Sequence, residues 1–231
     1  MTLSERQRVI EEWVRNLTQE EQVSLYYWGE SGAGIRALQM GYTDGELLAR
    51  GFSLREIERA HKALPGWEKF ISRGIQYRGP VYRGLALDSE NANILREWIE
   101  KGSIILNNDQ SATSSLEVLD RFGHGTAFSP VGVQWHIEDQ RTGVATLGKT
   151  YVTQGGSSIN EHEVILNKGA RYKITGVRYR FNNGEYWDDA FNARYYDDGS
   201  GYSWPRNPDP NEWPHRIRDG VYILDLEEVN E

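Results

Sequence analysis

The chain has 231 residues, enough for one domain or two small ones with a sizeable core. It has no cysteine, which excludes disulfides, thiolate catalysis and cysteine-held zinc, and its formal charge of −8 weighs against a dedicated nucleic-acid binder without excluding a local basic groove. No apolar run approaches a membrane helix, and Met1-Thr2-Leu3-Ser4-Glu5-Arg6 lacks the layout of a signal peptide.

The first seventy or so residues read as helical. Ser4 with Gln7, Thr18 with Glu21 and Ser53 with Glu56 have capping-box spacing. Val9, Ile10, Trp13, Val14 and Leu17 recur at helical spacing and predict one apolar face. Gly29, Gly32 and Gly34 are expected to break the chain before a short helix over Ile35 to Met40. The next helix runs from Leu54 to about Ala63 and is expected to stop before Pro65-Gly66.

From about Gln76 the texture changes to short strands. Pro80 leads into a strand over Val81 to Leu87, and a helix follows with Ile94, Leu95, Trp98 and Ile99 on its buried face. Ser103 to Leu106 reads as a short strand. Ser114 with Glu117 predicts the cap of a helix carrying Val118, Leu119 and Phe122. Val131 to Ile137 alternates as a half-buried strand. Val164 to Leu166 and Tyr172 to Val177 predict strands around the turn at Lys168-Gly169, and Val221 to Val229 closes the chain. Between Asn182 and Arg216 the prolines at 205, 208, 210 and 214 predict an irregular segment, rich in tryptophan, that is no central strand.

Few residue groups could carry chemistry. Glu161 and Glu163 sit two apart in an expected strand, which would put both carboxylates on one face about 7 Å apart. A carboxylate pair facing a cleft suits glycosidic chemistry, whose transition state resembles an oxocarbenium ion. Alone, the pair reads rather as a solvated acidic edge beside an apolar strand. Arg83 lies among apolar neighbours, so its fork needs a phosphate or a carboxylate; a structural ion pair would satisfy it too. Ser111-Ala112-Thr113 could bond a ligand or simply make a turn. Gly123-His124-Gly125 lacks the strand and helix of a dinucleotide fingerprint, and the five histidines show no His-Glu-x-x-His pattern, so no metal site is inferred.

Taken in order, these runs resemble the mono-ADP-ribosyltransferases of bacterial toxins and phages. Leu25-Tyr26-Tyr27-Trp28-Gly29 and Ile35-Arg36-Ala37-Leu38 look like the family's N-terminal helical segment. Val81-Tyr82-Arg83-Gly84-Leu85 looks like its aromatic-Arg-Gly strand. Its Ser-Thr-Ser element aligns with Ser111-Ala112-Thr113 or with Thr113-Ser114-Ser115, of which the first is preferred, and Asn160-Glu161-His162-Glu163-Val164-Ile165-Leu166 looks like its Glu-x-Glu strand.

The resemblance implies an α+β, ADP-ribosyltransferase-like fold: N-terminal helices packed on two small, mostly antiparallel sheets flanking an NAD cleft. It implies one catalytic domain over 1–231, helical over 1–75 and β-rich over 76–231, with an insertion at 182–216. NAD is the substrate. Arg83 and Gly84 would hold its diphosphate and nicotinamide amide, with Asn108, Ser111, Thr113 and Phe122 lining the pocket. Glu163 would be the catalytic glutamate, Glu161 would orient and deprotonate the acceptor, and Lys149 to Asn160 would be a mobile target-recognition loop.

The implied reaction is transfer of ADP-ribose to a target protein, with arginine favoured because a glutamate stands two before the catalytic one. The alternatives are an NAD glycohydrolase, a non-catalytic NAD binder, a carbohydrate-active protein, or transfer to a nucleic-acid base. The expected state is a monomer with no membrane partner. The expected compartment is cytoplasmic, in the producing cell or in a target cell after delivery.

Overall fold

The structure is a computed structural model. It describes residues 3–87, 92–119, 131–146, 150–152, 158–160, 162–181, 186–188, 193–195, 201–203 and 220–229. By its internal contacts the chain divides into two compact units. The first comprises Met1–Arg78, Leu106–Ser111 and Arg141–Ala170, and the second Gly79–Ile105, Ala112–Gln140 and Arg171–Glu231.

The first unit begins with five helices: α1 (Leu3–Arg15), α2 (Gln19–Ser31), α3 (Ala33–Gln39), α4 (Asp44–Ala49) and α5 (Leu54–Arg73). Reciprocal capping boxes start α2 at Thr18 with Glu21 and α5 at Ser53 with Glu56, as their spacing predicts. A third box, Thr43 with Glu46, starts α4 and was legible in the same pattern but not read. The glycines do less breaking than expected. Gly29 lies inside α2 and Gly34 inside α3; a Cβ on Gly34 would sit 2.6 Å from the Tyr27 hydroxyl oxygen and 2.8 Å from Ala60 Cβ, so close packing is its use.

Helix α5 also corrects the sequence reading, because it runs through Pro65 to Arg73. Proline in a helix interior costs about 3 kcal/mol. The apolar period continues across it, however, through Ile57, Ala60, Ala63, Trp67 and Phe70, all buried. Trp67 stacks on Trp28 (centroids 4.1 Å, 9° between planes) and on Phe70 (5.4 Å). These rings form one core cluster with Leu17, Tyr27, Ile35, Val144 and Ile165. Fully burying one such side chain is worth about 1.5–3 kcal/mol, so two offset the proline.

Gly66, next to the proline, lets α2 approach. A Cβ there would lie 2.4 Å from Ser24 Oγ and 2.7 Å from the Glu20 carbonyl oxygen. Gly66→Ala is therefore expected to destabilise the protein by about 1–3 kcal/mol despite its better helix propensity, lowering the melting temperature by a few degrees. A thermal melt as high as the parent's would show that the two helices have room to spare.

Strands β1 (Gln76–Leu87), β3 (Gln110–Thr113) and β4 (Val131–Ala145) have residues in both units. Between β1 and β3 come α6 (Ala92–Lys101) and β2 (Ser103–Ile105); between β3 and β4 comes α7 (Leu116–Leu119). In the first unit, β4 pairs antiparallel with β7 (Glu163–Leu166), Val144 opposite Ile165 and Ala145 opposite Val164. Between them β5 (Thr150–Val152) and β6 (Ser158–Asn160) form a hairpin within the segment read from sequence as a loop.

In the second unit β12 (Gly220–Glu228) lies antiparallel to β8 (Arg171–Phe181) and parallel to β4, with Ile223 opposite Gln134. That pair is parallel within a mostly antiparallel α+β fold. Strand β2 adds to β8 through Ile104 opposite Tyr172. The segment expected to be irregular holds three short strands, β9 (Tyr186–Asp188), β10 (Ala193–Tyr195) and β11 (Gly201–Ser203), which extend the sheet from β8 as a meander. All three precede the four prolines, which lie outside the described residues, so strand-forming aromatics act there unopposed. At the start of α7 the Ser115 side chain accepts from Val118 N at 3.4 Å. No helix among the described residues is long and apolar enough to cross a membrane.

Candidate active site

Glu163 opens β7, and its carboxylate is the centre of a small network within the first unit. The Ser111 hydroxyl donates to Oε1 at 2.6 Å, the Trp28 indole N–H donates to the same oxygen at 3.2 Å, and the Thr146 hydroxyl donates to Oε2 at 2.8 Å. Each donor comes from a different element. Ser111 is on β3, Trp28 on α2, and Thr146 follows β4, where its own amide bonds the Glu163 carbonyl at 3.1 Å. Hydrogen bonds to a carboxylate are the strong kind, and here they fix the rotamer of the group.

Arg36 completes this group. It lies on α3 with its guanidinium carbon 5.3 Å from the Trp28 ring centre. Burial pulls its pKa below the ordinary arginine value, and the Glu163 charge works in the opposite direction. The network is thus a carboxylate with three neutral donors and one nearby cation, resting on the Trp28–Trp67 stack.

The Glu-x-Glu run differs from its expected shape. Strand β7 starts at Glu163, and His162 stands before it at φ 47°, in the left-handed region. A regular pleat through Glu161, His162 and Glu163 is therefore absent at His162, although histidine tolerates this conformation better than most residues. Glu161 itself lies outside the described residues, as does Phe122.

The remaining candidates divide between the units. Asn108 is buried in the first unit, where its side-chain oxygen accepts from the Gln110 amide. Arg83, Gly84 and Thr113 belong to the second unit. Thr113 is buried, stands opposite Tyr82 in the β1–β3 pairing, and accepts from Ser115 N at 3.1 Å. It thus sits one position from Arg83 across the ladder. The Arg83 guanidinium carbon is 5.7 Å from the Trp135 ring centre. The structure therefore brings Ser111 together with Glu163, and Thr113 alongside Arg83.

Sequence reasoning assigned no role to Trp28, Arg36 or Thr146. Trp28 and Arg36 fell within the N-terminal runs that carried the resemblance, which was the available signal. Thr146 belongs to no local motif, and only the β4–β7 register reveals it.

No protein-family model matches the chain, and no curated protein sequence matches it significantly. Solved structures do. The Vis toxin of Vibrio splendidus, an ADP-ribosyltransferase, superposes with a TM-score of 0.53 at 15% identity over 98% of this chain and 84% of its own. The same toxin in complex with agmatine gives 0.51 at 16% identity over 100% and 87%. The C3larvin toxin of Paenibacillus larvae, also an ADP-ribosyltransferase, gives 0.50 at 12% identity over 96% and 94%. The chain has the ADP-ribosyltransferase fold, α+β as the order of its sequence runs implied.

Proposed function

We propose that this chain is a mono-ADP-ribosyltransferase that cleaves NAD and transfers ADP-ribose to an arginine on a target protein. The observation that carries the reading is the Glu163 carboxylate, fixed by Ser111, Trp28 and Thr146 in a fold shared with enzymes of that class. A fixed negative charge is what the reaction needs. As the bond from ribose C1′ to the nicotinamide nitrogen breaks, its electron pair leaves with neutral nicotinamide, and positive charge develops on the sugar. A carboxylate already oriented stabilises that charge with no reorganisation at the moment of reaction. Arg83 grips the diphosphate through its planar fork, and Gly84, Asn108, Ser111, Thr113 and Phe122 shape the nicotinamide end. The whole chain, 1–231, acts as one catalytic domain.

Arginine as acceptor is supported by two features. Glu161 stands two residues before Glu163, and a charged guanidinium is a poor nucleophile until a carboxylate holds it and takes its proton. Agmatine, the ligand in one of the similar toxin structures, carries the same guanidinium group as arginine. In the transfer the guanidine nitrogen bonds to C1′ and its proton passes to Glu161.

Glu161→Gln separates the two half-reactions. Transfer to agmatine, read by mass spectrometry, is expected to fall by about a hundred-fold or more, the scale of losing a positioned base. Hydrolysis to nicotinamide and ADP-ribose is expected to persist in part, because water needs less help. Equal loss of both would assign Glu161 to NAD binding or folding. Unchanged transfer would remove Glu161 as the acceptor's base.

A further inference from the structure

We infer that Asp109 is a positioning residue for the Glu163 carboxylate, acting through Trp67, Lys168 and the strand it leads into. The inference rests on the reading of Glu163 as the group that stabilises NAD cleavage. Asp109 is 2% exposed, and a buried carboxylate must be satisfied by donors. Here Oδ2 accepts from the Trp67 indole N–H at 2.7 Å and from the Gln39 amide at 2.6 Å, while Oδ1 accepts from the Lys168 backbone N–H at 2.6 Å. The Asp109 amide donates back to Gln39 Oε1 at 2.9 Å, and Lys168 Nζ donates to the Gln39 carbonyl at 2.7 Å.

Every partner leads towards Glu163. Trp67 is stacked on Trp28, whose indole N–H holds Oε1. Asp109 leads into β3, whose Ser111 holds the same oxygen. Lys168 follows β7, the strand that Glu163 opens. Gln39 ends α3, the helix that carries Arg36. One buried carboxylate thus ties together the helix, strand and turn that set the catalytic group.

The pattern of donors matters as well as the shape. Three donors converge on the two oxygens. An asparagine has one acceptor oxygen and one donor amide, so in either orientation its amide would confront an N–H. Asp109→Asn is therefore nearly isosteric but mismatched.

The test uses the full chain. Trp28→Phe first assigns the Trp28 indole N–H resonance in a proton–nitrogen NMR spectrum. In Asp109→Asn that resonance is expected to move. The kcat for nicotinamide release is expected to fall by between about tenfold and about a hundred-fold with KM for NAD unchanged, the cost of misplacing a reacting group. In a Glu163→Gln background the same change should cost nothing further. If Asp109→Asn fails to fold, Trp67→Phe, which keeps a stacked ring but removes the donor, is expected to show the same shift and a smaller kcat loss.

A Trp28 resonance that stays in place, or a rise in KM at constant kcat, overturns the positioning role. Wild-type protein that releases no nicotinamide would instead defeat the reading of Glu163, and the NMR arm would still decide whether Asp109 sets the Trp28 contact.

Discussion

Replacing Glu163 with glutamine is expected to lower nicotinamide release from NAD by about a hundred-fold or more while the protein stays folded, the usual scale for losing a preorganised electrostatic group. The structure explains why the fold should survive. Oε1 takes two donors, the Ser111 hydroxyl at 2.6 Å and the Trp28 indole at 3.2 Å, and a glutamine oxygen can serve both. Among the described residues Oε2 takes only the Thr146 hydroxyl, at 2.8 Å. That hydroxyl rotates and can accept from a glutamine amide instead of donating. What is lost is the charge, and with it the stabilisation of the developing cation and the counter-charge of Arg36. Initial rates with a thermal melt on the same preparation check this. Near-parental rates in a folded variant would remove Glu163 from the chemistry.

The largest effect on stability is expected at Trp67. Trp67→Ala should cost about 3–5 kcal/mol, the range for deleting a large buried aromatic. The side chain is fully buried, stacks on both Trp28 and Phe70, and gives its N–H to Asp109 at 2.7 Å. Its removal leaves a cavity and takes one donor from a buried carboxylate, two costs that add. At about 2–4 °C per kcal/mol for a chain of this size, the midpoint should fall by roughly 10 °C. Trp28 loses its stacking face in the same step, so residual activity at low temperature should fall too. Calorimetry and rates below the new midpoint measure both, and a variant that melts with the parent would mean that the ring cluster is not the core of this unit.

How much of this was legible in the sequence depended on range. Local signals were read well where the physics is local. The boxes at Thr18 and Ser53, and the apolar face through Trp13 and Val14, need only a few neighbouring residues to define them. Pro65 was misread because a local rule about proline met a tertiary fact, the burial of Trp67 and Phe70 beyond it. The strands in the 182–216 segment were missed for a similar reason: prolines late in the segment coloured the reading of its proline-free first half.

In the site, Ser111 and Glu163 were named from motifs, and the structure joins them at 2.6 Å. Thr146 and Asp109 were not named, because neither belongs to a motif. Their roles come from strand register and from helices that pack far along the chain, which no spacing rule reports. The left-handed His162 was equally invisible, since an extended run and a kinked one share the same letters there.

The most direct test of the account is incubation of the purified chain with NAD and agmatine, with nicotinamide and the agmatine adduct quantified together. The account predicts nicotinamide release matched by agmatine carrying one ADP-ribose, both abolished in Glu163→Gln. NAD left intact by folded wild-type protein would contradict it.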